Sequence, residues 1–171
     1  MGLDGDLYRL VLVLHILCAV VGFGGVLLNG LYAAQAKARK GPEGLAISQA
    51  NFFVSKVAQY FIYAVFVFGI LLVAFSDDAW DFADTWVWLS MLLYVVALGL
   101  SHGLLRPTVE RIIGLQEQLV AMGSPPAGAT GGPPPQVAQL EEQGKRAGTV
   151  AAALQLIFVV ILVMMVFKPG S

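Results

Sequence analysis

Four long stretches of the sequence are almost entirely apolar, at residues 8–34, 57–75, 86–105 and 149–167. Each is close to or above the roughly 20 residues that an α-helix needs to cross the hydrocarbon core of a bilayer. Residues 65–75 read VFVFGILLVAF and lack the alternating polarity of barrel strands. Because lipid offers no partner to backbone polar groups, the four stretches are predicted to be helices.

Composition supports a membrane protein. Hydrophobic residues make up 58% of the chain and charged residues 12%, whereas soluble domains average about 45–50% and about 25%. The net charge of −1 argues against nucleic-acid binding, and the lone Cys18 excludes an internal disulfide. We therefore expect an all-α bundle of four transmembrane helices that forms a single membrane domain.

The positions of lysine and arginine predict the orientation of this bundle. The side with both termini carries only Arg9 and Lys168. Connections rich in basic residues stay in the cytoplasm, so both termini are expected outside. Eight of the ten basic residues fall in or beside the two cytoplasmic connections: Lys37, Arg39, Lys40, Lys56, Arg106, Arg111, Lys145 and Arg146.

Helices three and four are expected to extend into the cytoplasm as a hairpin. Beyond the third span, Val109, Ile112 and Ile113 recur at helical spacing, and Pro107 predicts a kink. Residues 123–135 contain nine glycines and prolines, a composition typical of a linker. The segment VAQLEEQGKR then resumes helical character before the fourth span.

No Asp, Glu, Lys or Arg lies near the middle of a predicted span, but two histidines, His15 and His102, lie inside the spans. Ionisable residues in such positions are functional candidates by default. Counting from the span ends, His15 and His102 differ in depth by roughly 17 Å, which disfavours one haem held by both within a subunit. The remaining alternative is a haem held by His15 alone, or by His15 from two subunits. His15 and Cys18 share a helix face, which fits either a soft-metal site or ordinary helix packing.

Small residues recur where helices are expected to approach closely. They are Gly22 and Gly25 on helix one, Gly99 and Gly103 on helix three, and Gly148 on helix four. Small residues let helix backbones approach in lipid, either within the bundle or against a partner or second copy. The polar residues expected to form hydrogen bonds between helices are Asn29, Gln59 and Gln155.

The two ends of the chain resemble a family of uncharacterised bacterial integral membrane proteins, a domain of unknown function with four predicted helices. Leu14 and His15 stand in LVLHILCAVVGFGG, and the chain closes with the run MVFKP at 165–169. The resemblance implies a compact multi-pass bundle in a bacterial inner membrane. A more distant similarity, to copper-resistance D and HemJ-like membrane proteins, implies copper handling or haem b binding at His15.

No nucleophile elbow, phosphate loop or zinc motif is present, so an enzyme is not expected. The hypothesis is a non-enzymatic structural or accessory subunit that packs against a larger membrane complex. Its expected partners are the bilayer and other membrane subunits or a second copy. The alternative is a haem b- or copper-binding membrane protein that uses His15, with His102 and Cys18 as further candidate ligands.

Overall fold

The computed structural model describes residue 3 and the ranges 5–123 and 132–170. Most of these residues are helical. Part of the predicted linker, residues 124–131, lies outside the described residues. The prediction of an all-α protein with four helices long and apolar enough to cross a membrane is confirmed. The elements are α1 (Asp6–Ala38), α2 (Gly41–Ala74), α3 (Thr85–Leu100), a π-helical segment (Ser101–Leu105), α4 (Arg106–Met122) and α5 (Pro135–Phe167).

Every helical rod is longer than the span predicted for it. Helix α1 has 33 residues and α2 has 34, while α3, the π-helical segment and α4 form one rod from 85 to 122. At about 1.5 Å per residue each rod is roughly 50 Å long, against a hydrocarbon core of about 30 Å. The prediction counted apolar residues only, whereas helical hydrogen bonding continues through the amphipathic residues beyond them.

The parts of α2 and α4 beyond their apolar stretches meet at the end that carries most of the basic residues. Gln49 near the start of α2 donates a hydrogen bond to Glu117 near the end of α4, at 3.0 Å. The α1–α2 turn therefore lies at the same end as the tip of α4, and we call this the basic end. The opposite end holds the α2–α3 connection with Asp77, Asp78 and Asp81.

The predicted irregularity at Pro107 takes the form of the π-helical segment. Proline has no N–H to offer the carbonyl four residues earlier and its ring crowds that carbonyl. Here the Arg106 N–H instead reaches the Ser101 carbonyl, five residues back. Two residues later the Thr108 hydroxyl donates to the Leu104 carbonyl at 2.7 Å. The rod therefore passes the proline while the Ser101 and Leu104 carbonyls keep donors.

The bundle consists of two antiparallel helical hairpins. In the first, α1 and α2 are in intimate contact along their length because α1 presents small residues. A Cβ on Gly22 would lie 2.9 Å from Ile62 Cγ1, and one on Gly25 would lie 2.9 Å from Ala58 Cβ. The predicted close approach at these two glycines is thus present between α1 and α2.

Aromatic rings fill the space between the first hairpin and the second, which is built from α3, α4 and α5. Phe23 stacks on Phe158 with ring centroids 4.0 Å apart, and Phe66 stacks on Tyr94 at 4.8 Å. The Tyr94 hydroxyl also donates to the Ile62 carbonyl. Stacked rings and this hydrogen bond therefore join the two halves of the bundle.

We predict that Gly22→Ala destabilises the protein, because the new methyl group also meets the Ile62 backbone nitrogen at 3.1 Å. The free energy of unfolding should fall by about 1–3 kcal/mol, the usual cost of overpacking. Gly24→Ala is the matched control, since nothing lies within 4 Å of its Cβ position. Thermal unfolding in detergent measures both variants, and an equal loss in the two would contradict this account of α1–α2 packing.

Candidate functional site

His15 lies buried between α1 and α2, with 9% of its surface exposed. Its Nδ1 donates to the Val65 carbonyl at 3.0 Å. The ring fits because α2 carries a glycine opposite it: a Cβ on Gly69 would lie 3.4 Å from His15 Cε1. In this position the imidazole forms a hydrogen bond between two helices.

Haem or metal binding at His15 stays a prediction. In the described part of the chain, no group of three or more His, Cys, Asp or Glu side chains is placed to hold a metal ion. His15 faces residues 65–69 of α2, whereas His102 contacts residues 59–63. At about 1.5 Å per residue the two histidines are roughly 9 Å apart along α2, closer than the sequence estimate but too far for shared ligation.

His102 belongs to a hydrogen-bonded set, the histidine cluster, which comprises Gln59, Tyr63 and His102. Both the Gln59 amide nitrogen and the Tyr63 hydroxyl lie 2.7 Å from His102 Nε2. The Nδ1 atom of His102 lies 2.9 Å from the Leu98 carbonyl oxygen. The Tyr63 and His102 rings are nearly parallel, with centroids 6.1 Å apart.

The hydrogen bonds define the proton positions in this cluster. A carbonyl oxygen only accepts, so Nδ1 carries the proton and, in the neutral ring, Nε2 accepts. One lone pair on Nε2 then faces two donors. The cluster therefore retains hydrogen-bonding capacity, and it lies on the outside of the bundle, where His102 is exposed and Tyr63 is 38% exposed.

The cluster lies just inside the apolar part of the bundle. Lys56 and Arg106 are the nearest charged residues toward the basic end on the two helices. Gln59 and Tyr63 are three and seven residues beyond Lys56, and His102 is four residues before Arg106. At about 1.5 Å per residue these offsets are roughly 5–10 Å. The cluster therefore faces outward at a shallow depth, where the helix surface changes from charged to apolar.

A second feature of the bundle surface runs along α5. We call it the α5 stripe. Its members repeat at intervals of three or four residues, which places them on one face of the helix, and all of them are exposed. Gln155 makes no hydrogen bond within the described residues. The stripe consists of Gly144, Gly148, Ala152, Gln155 and Val159.

The remaining glycines singled out from the sequence do not contact other helices. A Cβ at Gly99, Gly103 or Gly148 would have nothing within 4 Å. These positions leave open surface on the rod of α3 and on α5. The predicted packing glycines therefore divide into two that hold α1 against α2 and three that face outward.

The three predicted interhelical polar residues also differ in their contacts. Asn29 accepts a hydrogen bond from Ser55 at 3.0 Å, and Gln59 reaches His102. Gln155 has no hydrogen bond to another helix within the described residues. Sequence reasoning missed Tyr63, although its position four residues after Gln59 already placed both side chains on one helix face.

No protein-family model, no curated protein and no solved structure matches this chain.

We predict that Tyr63 and His102 are energetically coupled. In a double-mutant cycle with Tyr63→Phe and His102→Leu, the coupling free energy should be about 0.5–2 kcal/mol, as for hydrogen bonds between membrane helices. Tyr60→Phe with His102→Leu is the control, because Tyr60 is 73% exposed and has no hydrogen bond to His102. Equal coupling in the two cycles, measured by unfolding in detergent, would argue against the cluster.

Proposed function

We propose that this chain is a non-enzymatic accessory subunit of a larger membrane assembly, and that the α5 stripe receives a transmembrane helix of another subunit. One observation carries the proposal: the exposed carboxamide of Gln155, which has no hydrogen bond within the described residues. The step from this side chain to a partner helix depends on where Gln155 lies in the span.

Gln155 lies deep in the apolar part of α5. It is nine residues beyond Arg146, or roughly 13 Å along the helix, and is therefore near the middle of a hydrocarbon core of about 30 Å. A carboxamide there without a hydrogen bond is costly, because lipid chains supply neither donors nor acceptors. A polar group from a neighbouring helix would remove this cost.

The residues around Gln155 suit a close helix contact. Gly148 and Ala152 precede it at intervals of four and three residues, and both are exposed. Small residues at fourfold spacing let a second helix approach until dispersion contacts and interhelical hydrogen bonds form. A polar residue beside small residues is the combination that stabilises helix pairs in membranes.

The other polar contacts inside the spans support a scaffold rather than a catalyst. His15 binds the Val65 carbonyl, Tyr94 binds the Ile62 carbonyl, and Ser55 binds Asn29. Each of these bonds joins two helices of the bundle. Their role in this arrangement is to specify how the helices pack.

We also propose that the basic end faces the cytoplasm of a bacterial cell and that both termini lie outside the inner membrane. The positive-inside rule supports this orientation, since the basic residues flank the α1–α2 turn and the α4–α5 end. The bacterial inner membrane rests on the family resemblance at the two ends of the sequence. In this orientation, the extensions of α4 and α5 project into the cytoplasm.

Assembly through α5 predicts a specific loss of complex size. On native gels of gently solubilised membranes, Gln155→Leu and Gly148→Leu should shift the protein from a large species toward its own mass. The first removes the polar contact and the second blocks close approach. Gly30→Leu on α1 is the control, because Gly30 is also exposed with nothing within 4 Å.

Two outcomes would overturn this proposal. Migration of the wild-type protein as a monomer, even after crosslinking in the membrane, would leave no assembly to explain. Assembly of the purified chain into a dimer that both variants disrupt would show that the stripe binds a second copy rather than another subunit.

The orientation predicts how introduced cysteines react. In a Cys18→Ala background, Ala79→Cys in the α2–α3 connection should react with a membrane-impermeant maleimide on intact spheroplasts. Lys40→Cys at the α1–α2 turn should react only after permeabilisation. The reverse labelling pattern would place the termini in the cytoplasm.

A further inference from the structure

A column of polar side chains runs from the basic end into the apolar surface of the bundle, at the junction of α2 with the rod of α3 and α4. On α2 it consists of Lys56, Gln59 and Tyr63, which are spaced three and four residues apart and share a helix face. On the rod, His102 and Arg106 are four residues apart. The bonds of the histidine cluster bring the two sides together.

The part of this column nearest the basic end is cationic. Lys56 is exposed, and its Nζ lies 4.4 Å from the centroid of the Phe52 ring. Arg106 pairs with Glu110 through Nε at 3.1 Å, and both side chains are about half exposed. An exposed pair of this kind contributes little stability, and the guanidinium keeps further N–H donors. Together the three groups carry a net charge of +1 beside the apolar surface.

The part of the column farther from the basic end consists of neutral hydrogen-bonding groups. Tyr63 and Gln59 are two donors for the single acceptor atom of His102. Beyond them, the same helix faces continue with apolar, exposed residues. Among these are Val67, four residues after Tyr63 on α2, and Val95, seven residues before His102 on α3, which are 53% and 57% exposed. From the basic end along the bundle, the order is therefore cations, neutral hydrogen-bond donors and an apolar surface.

This order matches the chemistry of one class of molecule. A glycerophospholipid places its phosphate at the surface, its ester carbonyls a few ångströms deeper and its acyl chains below them. Arginine and lysine bind phosphate, hydroxyl and amide N–H groups donate to carbonyl oxygens, and basic sites between helices favour anionic headgroups. We propose that the surface along the junction of α2 with the rod of α3 and α4 binds an anionic glycerophospholipid.

In this site Lys56 and Arg106 contact the phosphate, and Tyr63 and Gln59 donate to the ester carbonyls. A free phosphate ion would use only the exposed cations and would leave the deeper donors without a role. The headgroup is anionic rather than zwitterionic because the column presents net positive charge and Glu110 is already paired. The site is separate from the α5 stripe, so neither proposal depends on the other.

Native mass spectrometry of the delipidated full-length protein in detergent tests the proposal, with titrations of phosphatidylglycerol, phosphatidylcholine and inorganic phosphate. We expect one phosphatidylglycerol per chain, bound more tightly than phosphatidylcholine. Tyr63→Phe and Arg106→Gln should each weaken it by about threefold to tenfold, the loss of one hydrogen bond or charge contact. The matched controls are Tyr32→Phe on α1 and Arg111→Gln on α4, which remove the same groups from exposed positions outside the column.

Several outcomes would overturn the site. These are equal affinity for the two lipids, equal weakening by the control variants, or displacement of phosphatidylglycerol by millimolar inorganic phosphate. If the column variants instead dissociate the assembly seen on native gels while lipid binding is unchanged, the column is a protein contact. Thermal unfolding of each variant confirms folding, and the conservative Tyr63→Phe keeps the test valid if Arg106→Gln unfolds.

Discussion

The absence of water in the hydrocarbon core is the constraint on which this structure depends. Backbone N–H and C=O groups in lipid must bind one another, so a chain this apolar is stable there as uninterrupted helices. Even Pro107, in the middle of the rod of residues 85–122, is accommodated by a π-helical turn rather than by a break. Side-chain packing and the placement of polar groups are then the only means of distinguishing one helix face from another.

Two kinds of helix packing follow from this constraint, one within the first hairpin and one between the two hairpins. Glycines bring α1 and α2 together until a methyl group would collide, whereas aromatic rings hold the two hairpins together at longer range. The histidine cluster lies on the outside of the bundle, where α2 of the first hairpin meets the rod of the second. The site is therefore a consequence of how the two hairpins meet.

Much of the architecture was predictable because hydropathy acts locally. The four spans, the all-α class and the close approach at Gly22 and Gly25 all follow from residue size and polarity along one helix. The partners of polar residues did not follow. Gln59 and Gln155 looked alike in sequence, yet one binds His102 while the other is exposed without a hydrogen bond in the described chain.

By itself, the sequence determined that the chain forms long helices apolar enough to span a membrane, with basic residues sorted to one end. Only the tertiary structure decided that His15 bonds to α2 and that Tyr63 joins His102. The physical reason is that a single helix records the spacing of its residues but not its rotation or register against its neighbours. Those two quantities are set by contacts between helices, and they decide which polar groups are paired and which face outward.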